Sequence, residues 1–176
     1  IGAATADQGR WIASAGADAT LRVWSAASGS LVRTIELDEG APTALAVDDR
    51  RALTGHKGGA IVLWDLDRAE KLGIFQHHDA PITSLAFTSD PNQFAVASHD
   101  GAMALFDPRA PSTPVATFEG QDGAAQIVAA GRWSGLLVAG GIDRNIRLWR
   151  IDTRSVERSW RGRSEAPTAL GMAPGG

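Results

Sequence analysis

The chain has 176 residues, of which 44% are hydrophobic and 21% charged, with a net charge of −3 at pH 7. That is enough apolar material for one compact unit with a real core, and the acidic balance argues against non-specific affinity for nucleic acid or anionic membranes. The absence of cysteine excludes disulfides, thiol catalysis and thiolate-bound zinc or iron–sulfur clusters, and it fits a reducing, cytoplasmic location.

No apolar run approaches the roughly 18–20 residues of a membrane span. The N-terminus carries no signal-peptide pattern. It opens on Ile1 rather than Met, which points to a piece of a longer protein.

In chain order, the first clear unit is the strand "WIASA", a turn, and "GADATLRVW" ending at Trp24. A further strand, "SGSLVRTIEL", follows, and "APTALAV" opens the next unit. The second unit has "RALT", "HKGGAIVLW" ending at Trp64, and "AEKLGIFQ". "PITSLAF" opens the third, with "QFAVA", "SHDGAMALF" ending at Phe106, and "STPVATFEG". The fourth runs through "AAQIVAA", "LLVAG", "GIDRNIRLW" ending at Trp149, and "RSVERSW"; "APTALGM" then begins a fifth. The aromatic end-points lie 40, 42 and 43 residues apart. Within each window, apolar residues two apart lead to the aromatic, which is the period of a strand. No stretch sustains a 3.6-residue stripe, so helix is expected to be nearly absent.

Four strands per unit at a period near forty resembles the WD-repeat family of β-propellers. The naming dipeptide is intact once, as Trp64-Asp65, and altered to Trp24-Ser25, Phe106-Asp107 and Trp149-Arg150. The resemblance covers essentially the whole chain. It implies an all-β propeller of four-stranded antiparallel blades, at about 1–37, 38–76, 77–119 and 120–161, with 162–176 as the first strand of a further blade. Rings of this family usually have seven or eight blades. Four blades form part of a larger ring, close a small ring, or pair with a second copy through open blade faces.

"LTGHKGGAIVLWDLDR" resembles a phosphate loop only on the surface. That loop needs G-x-x-x-x-G-K-S/T entering a helix, so that backbone N–H groups face the phosphate. Here the spacing differs and a strand follows. The segment matches "SAGADA" and "ASHDGA", a turn between strands, and places Gly55-His56 outside the family's usual Gly-His position.

The family resemblance further implies a buried relay: a His before the first strand, a Ser or Thr in the second, an Asp in the following turn, and the Trp. The first unit supplies Ser14, Asp18 and Trp24; the second supplies Thr54 and Trp64, with Asp38 and Gly58 in the other places. The third supplies His78 and Asp100, with Val96 and Phe106. The fourth supplies Asp143 and Trp149, with Gln121 and Ala139; Arg163 stands at the His position after it. Because no unit is complete, apolar packing is expected to carry the blades.

Chemistry has few candidates. Ser98, His99 and Asp100 are consecutive at a strand end, so they point in diverging directions rather than forming a triad. His77 and His78, adjacent on an extended segment, project to opposite sides and do not share a metal. No cofactor or metal is expected. Seven arginines from Arg144 to Arg163, including Arg147, Arg150, Arg154, Arg158 and Arg161, read as a charged blade edge or a patch for an acidic partner. "FDPR" resembles the W-D-x-R signature by which some WD-repeat proteins dock on the adaptor of cullin-4 ubiquitin ligases, with Arg109 as the contact. Lys57 and His99 precede the turn Asp position, which faces the top surface in this family. Trp11, Trp133 and Trp160 are expected to be partly buried.

The sequence therefore points to a non-enzymatic interaction scaffold with Lys57, His99, Arg109, Arg144 and Arg147 as candidate contacts for proteins or peptides. The rival reading is a sensor or substrate platform appended to a catalytic or signalling domain elsewhere.

Overall fold

A computed structural model describes residues 2–6, 10–118, 123–131, 135–162 and 165–172. Among them there is no helix, and the strands form four separate sheets. Blade 1 comprises β1 (Gly2–Ala6), β2 (Trp11–Ala15), β3 (Thr20–Ser25) and β4 (Leu31–Glu36). Blade 2 comprises β5 (Pro42–Asp48), β6 (Arg51–His56), β7 (Ala60–Asp65) and β8 (Glu70–Gln76). Blade 3 comprises β9 (Ile82–Phe87), β10 (Phe94–Ser98), β11 (Met103–Phe106) and β12 (Ala116–Phe118), and blade 4 comprises β13 (Ala125–Ala130), β14 (Leu136–Gly141), β15 (Asn145–Arg150) and β16 (Ser155–Arg161). Each sheet is a consecutive antiparallel meander, and the inner strands β1, β5, β9 and β13 stand side by side in that order.

Alternation along the strands sends successive side chains to opposite faces, and in a middle blade both faces are covered. Blade 2 turns Ala52, Val62 and Trp64 toward Leu21, Val23 and Ile35 of blade 1. Its other face packs Leu53, Ile61, Leu63 and Phe75 on Phe94, Val96 and Phe106 of blade 3. Ala95, Met103, Leu105 and Phe118 of blade 3 then meet Leu137, Ala139 and Trp149 of blade 4. At the centre, Phe75 meets Phe94 edge-on at 5.0 Å and Phe106 at 5.7 Å, while Phe94 and Phe106 stack at 5.5 Å. Burying one such side chain contributes about 1.5–3 kcal/mol.

The outer faces of the end blades differ. β7 and β11 are buried almost throughout, whereas β15 is mostly half-buried and β16 exposed along its length. Trp160, expected to be partly buried, is 46% exposed because it lies on this outermost strand. Trp11 is half-buried beside the guanidinium of Arg10, and Trp133 lies outside the described residues.

The segment 165–172, expected to open a fifth blade, contains no strand. A first strand takes its ladder from the second strand of its own blade, and among the described residues none lies beside this segment. It still lies on blade 4. A Cβ on Gly140 would run into Pro167, just as one on the equivalent Gly55 would run into Ile82.

Candidate partner-binding site

In a meander the turns alternate between the two ends of the sheet. The turns from second to third strand, 16–19, 57–59, 99–102 and 142–144, therefore share one rim with the entries to the first strands. The turns from third to fourth strand occupy the other rim. Lys57, His99 and Arg144 thus stand in equivalent turns on one rim, and Arg109 stands on the opposite one.

Three inner strands are bulged at their entry on the Lys57–His99 rim. The ladder skips Thr43, Thr83 and Gln126, so these residues are left unpaired in the strand and turn out of it. The hydroxyls are put to use between blades. Thr43 Oγ1 donates to the carbonyl of Ile82 at 2.6 Å, and Thr83 Oγ1 donates to that of Ala125 at 2.7 Å. Between them opens a shallow cleft of about 390 Å³ lined by Thr43, Ile82, Thr83, His99, Gln126 and Thr168, with Pro81 and Pro167. Both Lys57 and His99 are exposed.

The turn aspartates are occupied in closing their turns. Asp18 accepts from Thr20 at 2.8 Å and Arg22 at 2.6 Å, and these bonds hold its carboxyl below the usual range. Asp143 accepts from Asn145 and, at 2.5 Å, from Arg147. Burial pushes Asp143 upward, but Arg147 and Asn145 outweigh it and the carboxyl sits low. Arg147 is consequently a largely buried turn partner rather than a surface contact, with only 12% of its side chain exposed. Arg144 is exposed with φ of 64°, and its carbonyl accepts from Gly162 N at 2.6 Å.

On the opposite rim, Asp65 closes its turn by accepting from the N–H groups of Asp67 and Arg68, both at 2.9 Å. Asp107 does the same for Arg109 N at 2.8 Å and is gripped by the Arg109 guanidinium at 2.6–3.1 Å. Those hydrogen bonds lower the Asp107 carboxyl to about 2. Arg109 is thus exposed but engaged within its own turn, and Phe106 beside it is fully buried. Elsewhere in the arginine cluster, Arg150 pairs with Glu157 at 3.0 Å, and Arg163 lies outside the described residues.

The relay survives in halves. Trp24 Nε1 donates to Ser14 at 2.8 Å and Trp64 Nε1 to Thr54 at 2.9 Å. In blade 3 the other half is present: buried His78 Nδ1 meets Asp100 Oδ2 at 3.0 Å. Where a hydroxyl is replaced, a buried polar atom is stranded. His78 Nε2 has no partner in the blade that carries Val96, and Trp149 Nε1 has none in the blade that carries Ala139. Burial pushes the His78 ring downward despite the carboxylate beside it. Gln121 lies outside the described residues.

Blade 2 holds a residue that the motif comparison set aside. His56 is buried, and its Nε2 stands 3.0 Å from Thr54 Oγ1, so Thr54 serves both a ring nitrogen and the Trp64 indole. Two positions apart on one strand, Thr54 and His56 share a face, and that period-2 relation was the available signal. Desolvation lowers the ring's proton affinity, partly offset by Glu39 and the Gly40 carbonyl. Asp38, at the family's His position, instead joins Glu39 in holding Lys71 at 3.2 and 2.8 Å, with Lys71 Nζ 5.4 Å from the centre of the Trp64 ring.

Ser98, His99 and Asp100 diverge. Ser98 is buried against the carbonyls of Ala80 and Pro81, His99 lines the cleft, and Asp100 turns to His78. His77 is exposed, yet its ring lies edge-on to that of His78 with centroids 5.1 Å apart, so the two rings do not project to opposite sides as their adjacency suggested.

The family model for the WD domain, G-beta repeat, matches residues 2–25, 69–107 and 112–150, more than half of the chain. The chain belongs to the WD-repeat family. Two of the matched spans begin in the turn or loop just before the outer strand of one blade and run to the end of the third strand of the next, so each of these repeats ties neighbouring blades together covalently. The chain is 26% identical over 145 residues to the ribosome biogenesis protein YTM1 of Laccaria bicolor, covering 78% of this chain and 32% of that protein. It is 31% identical over 104 residues to the target of rapamycin complex subunit wat1 of Schizosaccharomyces pombe, covering 57% and 33%. The solved structure of U3-55K shares the fold, with TM-score 0.84 and 21% identity over 93% of this chain and 52% of that one. This chain spans about a third of the length of those curated relatives.

Proposed function

We propose that this chain is part of a non-catalytic, cytoplasmic scaffold whose Lys57–His99 rim receives a protein or peptide partner. The observation that carries the reading is the cleft at the bulged strand entries. It is open, lined by hydroxyl, amide and imidazole groups, and flanked by an exposed lysine on the neighbouring turn. Bulges re-aim side chains out of a ladder, as Thr43, Thr83 and Gln126 are re-aimed here. WD-repeat relatives named for ribosome biogenesis and for a target of rapamycin complex support a protein-interaction role of this general kind. Because this chain covers only a third of those relatives, a platform working for a further domain of a longer polypeptide is the second reading.

The test is a displayed peptide library panned on the 176-residue chain. Selected peptides should lose at least tenfold in affinity for the combined Lys57→Glu, His99→Ala variant while its melting midpoint stays within a degree or two, since exposed substitutions rarely cost more than about 0.5 kcal/mol. Equal losses of folding and binding would overturn the reading.

A further inference from the structure

Blade 3 departs from the other blades in one loop. The turn from third to fourth strand has five residues in blade 1 (26–30), four in blade 2 (66–69) and four in blade 4 (151–154), but nine in blade 3 (107–115). The outer strand β12, described as Ala116–Phe118, begins correspondingly late. The added length contains Ser112-Thr113-Pro114, and residues 109–113 are all exposed. Nothing in the partner-binding reading uses this loop, which lies on the opposite rim.

Two features distinguish Thr113 from an ordinary surface hydroxyl. Pro114 disfavours the helical backbone at the residue before it, and Thr113 stands exposed in a bend of the chain, where a kinase cleft can reach its hydroxyl. Secondly, a cation from the next blade already reaches the loop. Arg154, on the blade 4 turn, donates Nη2 to the Val115 carbonyl at 3.1 Å. Val115 is two residues beyond Thr113, a span of at most about 7 Å of chain, which the arginine side chain and a phosphate can close between them. The loop's own guanidinium, Arg109, is engaged with Asp107, so that local carboxylate is already matched. Asp152, beside Arg154 in sequence, caps Thr153 N at 2.8 Å.

We propose that Thr113 is a phosphorylation site for a proline-directed serine/threonine kinase, and that its phosphate is held by Arg154, stapling blade 3 to blade 4. Thr113 Oγ1 attacks the γ-phosphorus of ATP, its proton passes to the kinase's base, the bridging P–O bond breaks and ADP leaves. The product carries a charge of about −1.5 to −2 and three strong acceptor oxygens, which suit a guanidinium.

Incubation of the chain with a purified proline-directed kinase and ATP, followed by peptide mass spectrometry, should place one phosphoryl group on Thr113. Thr113→Ala should abolish it and Thr113→Ser should keep it. Phosphorus NMR of the modified chain should then show the phosphate titrating about half a pH unit lower than in Arg154→Ala, because a nearby cation favours the dianion. Arg158→Ala, which removes the same charge from the neighbouring strand, should leave the titration unchanged. Absence of incorporation, incorporation at Ser112, or equal titration with and without Arg154 would overturn the proposal.

Discussion

Blades 2 and 3 are neighbours with the same strand order, yet they keep opposite halves of the polar relay. Blade 2 keeps the hydroxyl and indole, Thr54 and Trp64, and adds His56 to the same oxygen. Blade 3 keeps the imidazole and carboxylate, His78 and Asp100, and replaces the hydroxyl and indole by Val96 and Phe106. Val96 and Phe106 both enter the apolar core shared with blade 2. The relay is therefore separable. A blade can lose half of it when the vacated positions go to side chains that pack, and the remaining cost is one buried nitrogen without a partner.

If packing dominates, the largest effect comes from Phe106→Ala. Its ring meets Phe75 and Phe94 at 5.7 and 5.5 Å. Truncation should cost about 3–5 kcal/mol in denaturant unfolding. A loss below about 1 kcal/mol would mean that the aromatic cluster is not what joins the two blades. Next is Thr54→Val, which rebuilds blade 2 on the pattern of blade 3. It strands the Trp64 and His56 nitrogens together and should cost about 2 kcal/mol.

Repair should run the other way. Val96→Thr offers a hydroxyl that can donate to His78 Nε2, the unprotonated nitrogen when Nδ1–H faces Asp100, and Ala139→Ser offers an acceptor to Trp149 Nε1, as Ser14 does for Trp24 at 2.8 Å. Each should add about 1 kcal/mol, and the two should add independently because they lie in different blades. A destabilised Val96→Thr would show that the hydroxyl cannot be placed without disturbing the core.

The smallest effect is one of pH. His56 and His78 both have proton affinities lowered by burial from the ordinary 6.5. The unfolded chain therefore binds more protons than the folded one as pH falls through 6.5, and stability drops on the acid side. Above 6.5 both rings are neutral in either state and the contribution is complete. Asp100, whose carboxyl is pushed up by burial but held below the ordinary 3.8 by its hydrogen bonds from Ala102 and His78, adds to the loss as pH falls on through 3.8 toward its folded value. Melting midpoints across this range should fall with pH for the natural chain and fall less for the variant with both residues changed to Gln.

The blades themselves were readable because the aromatic end-points recur at 40–43 residues and the period-2 pattern lies beside each one. Half of the relay was readable for the same reason, since Ser14, Thr54, His78 and Asp100 stand at fixed offsets from them. His56 was not, because comparison with the family's Gly-His position hid its place on the same face as Thr54. Neither was Arg147, whose burial depends on Asp143 turning back over the strand. The bulges at Thr43, Thr83 and Gln126 leave no mark in composition; they arise where one inner strand meets the next, a relation across about forty residues.

Hydrogen exchange of the chain with and without a selected peptide tests the central claim most directly. The account predicts slowed exchange concentrated in 42–44, 57–60, 82–84 and 98–102, the entries and turns around the cleft. Protection confined to 107–115, on the rim of Arg109, would contradict it.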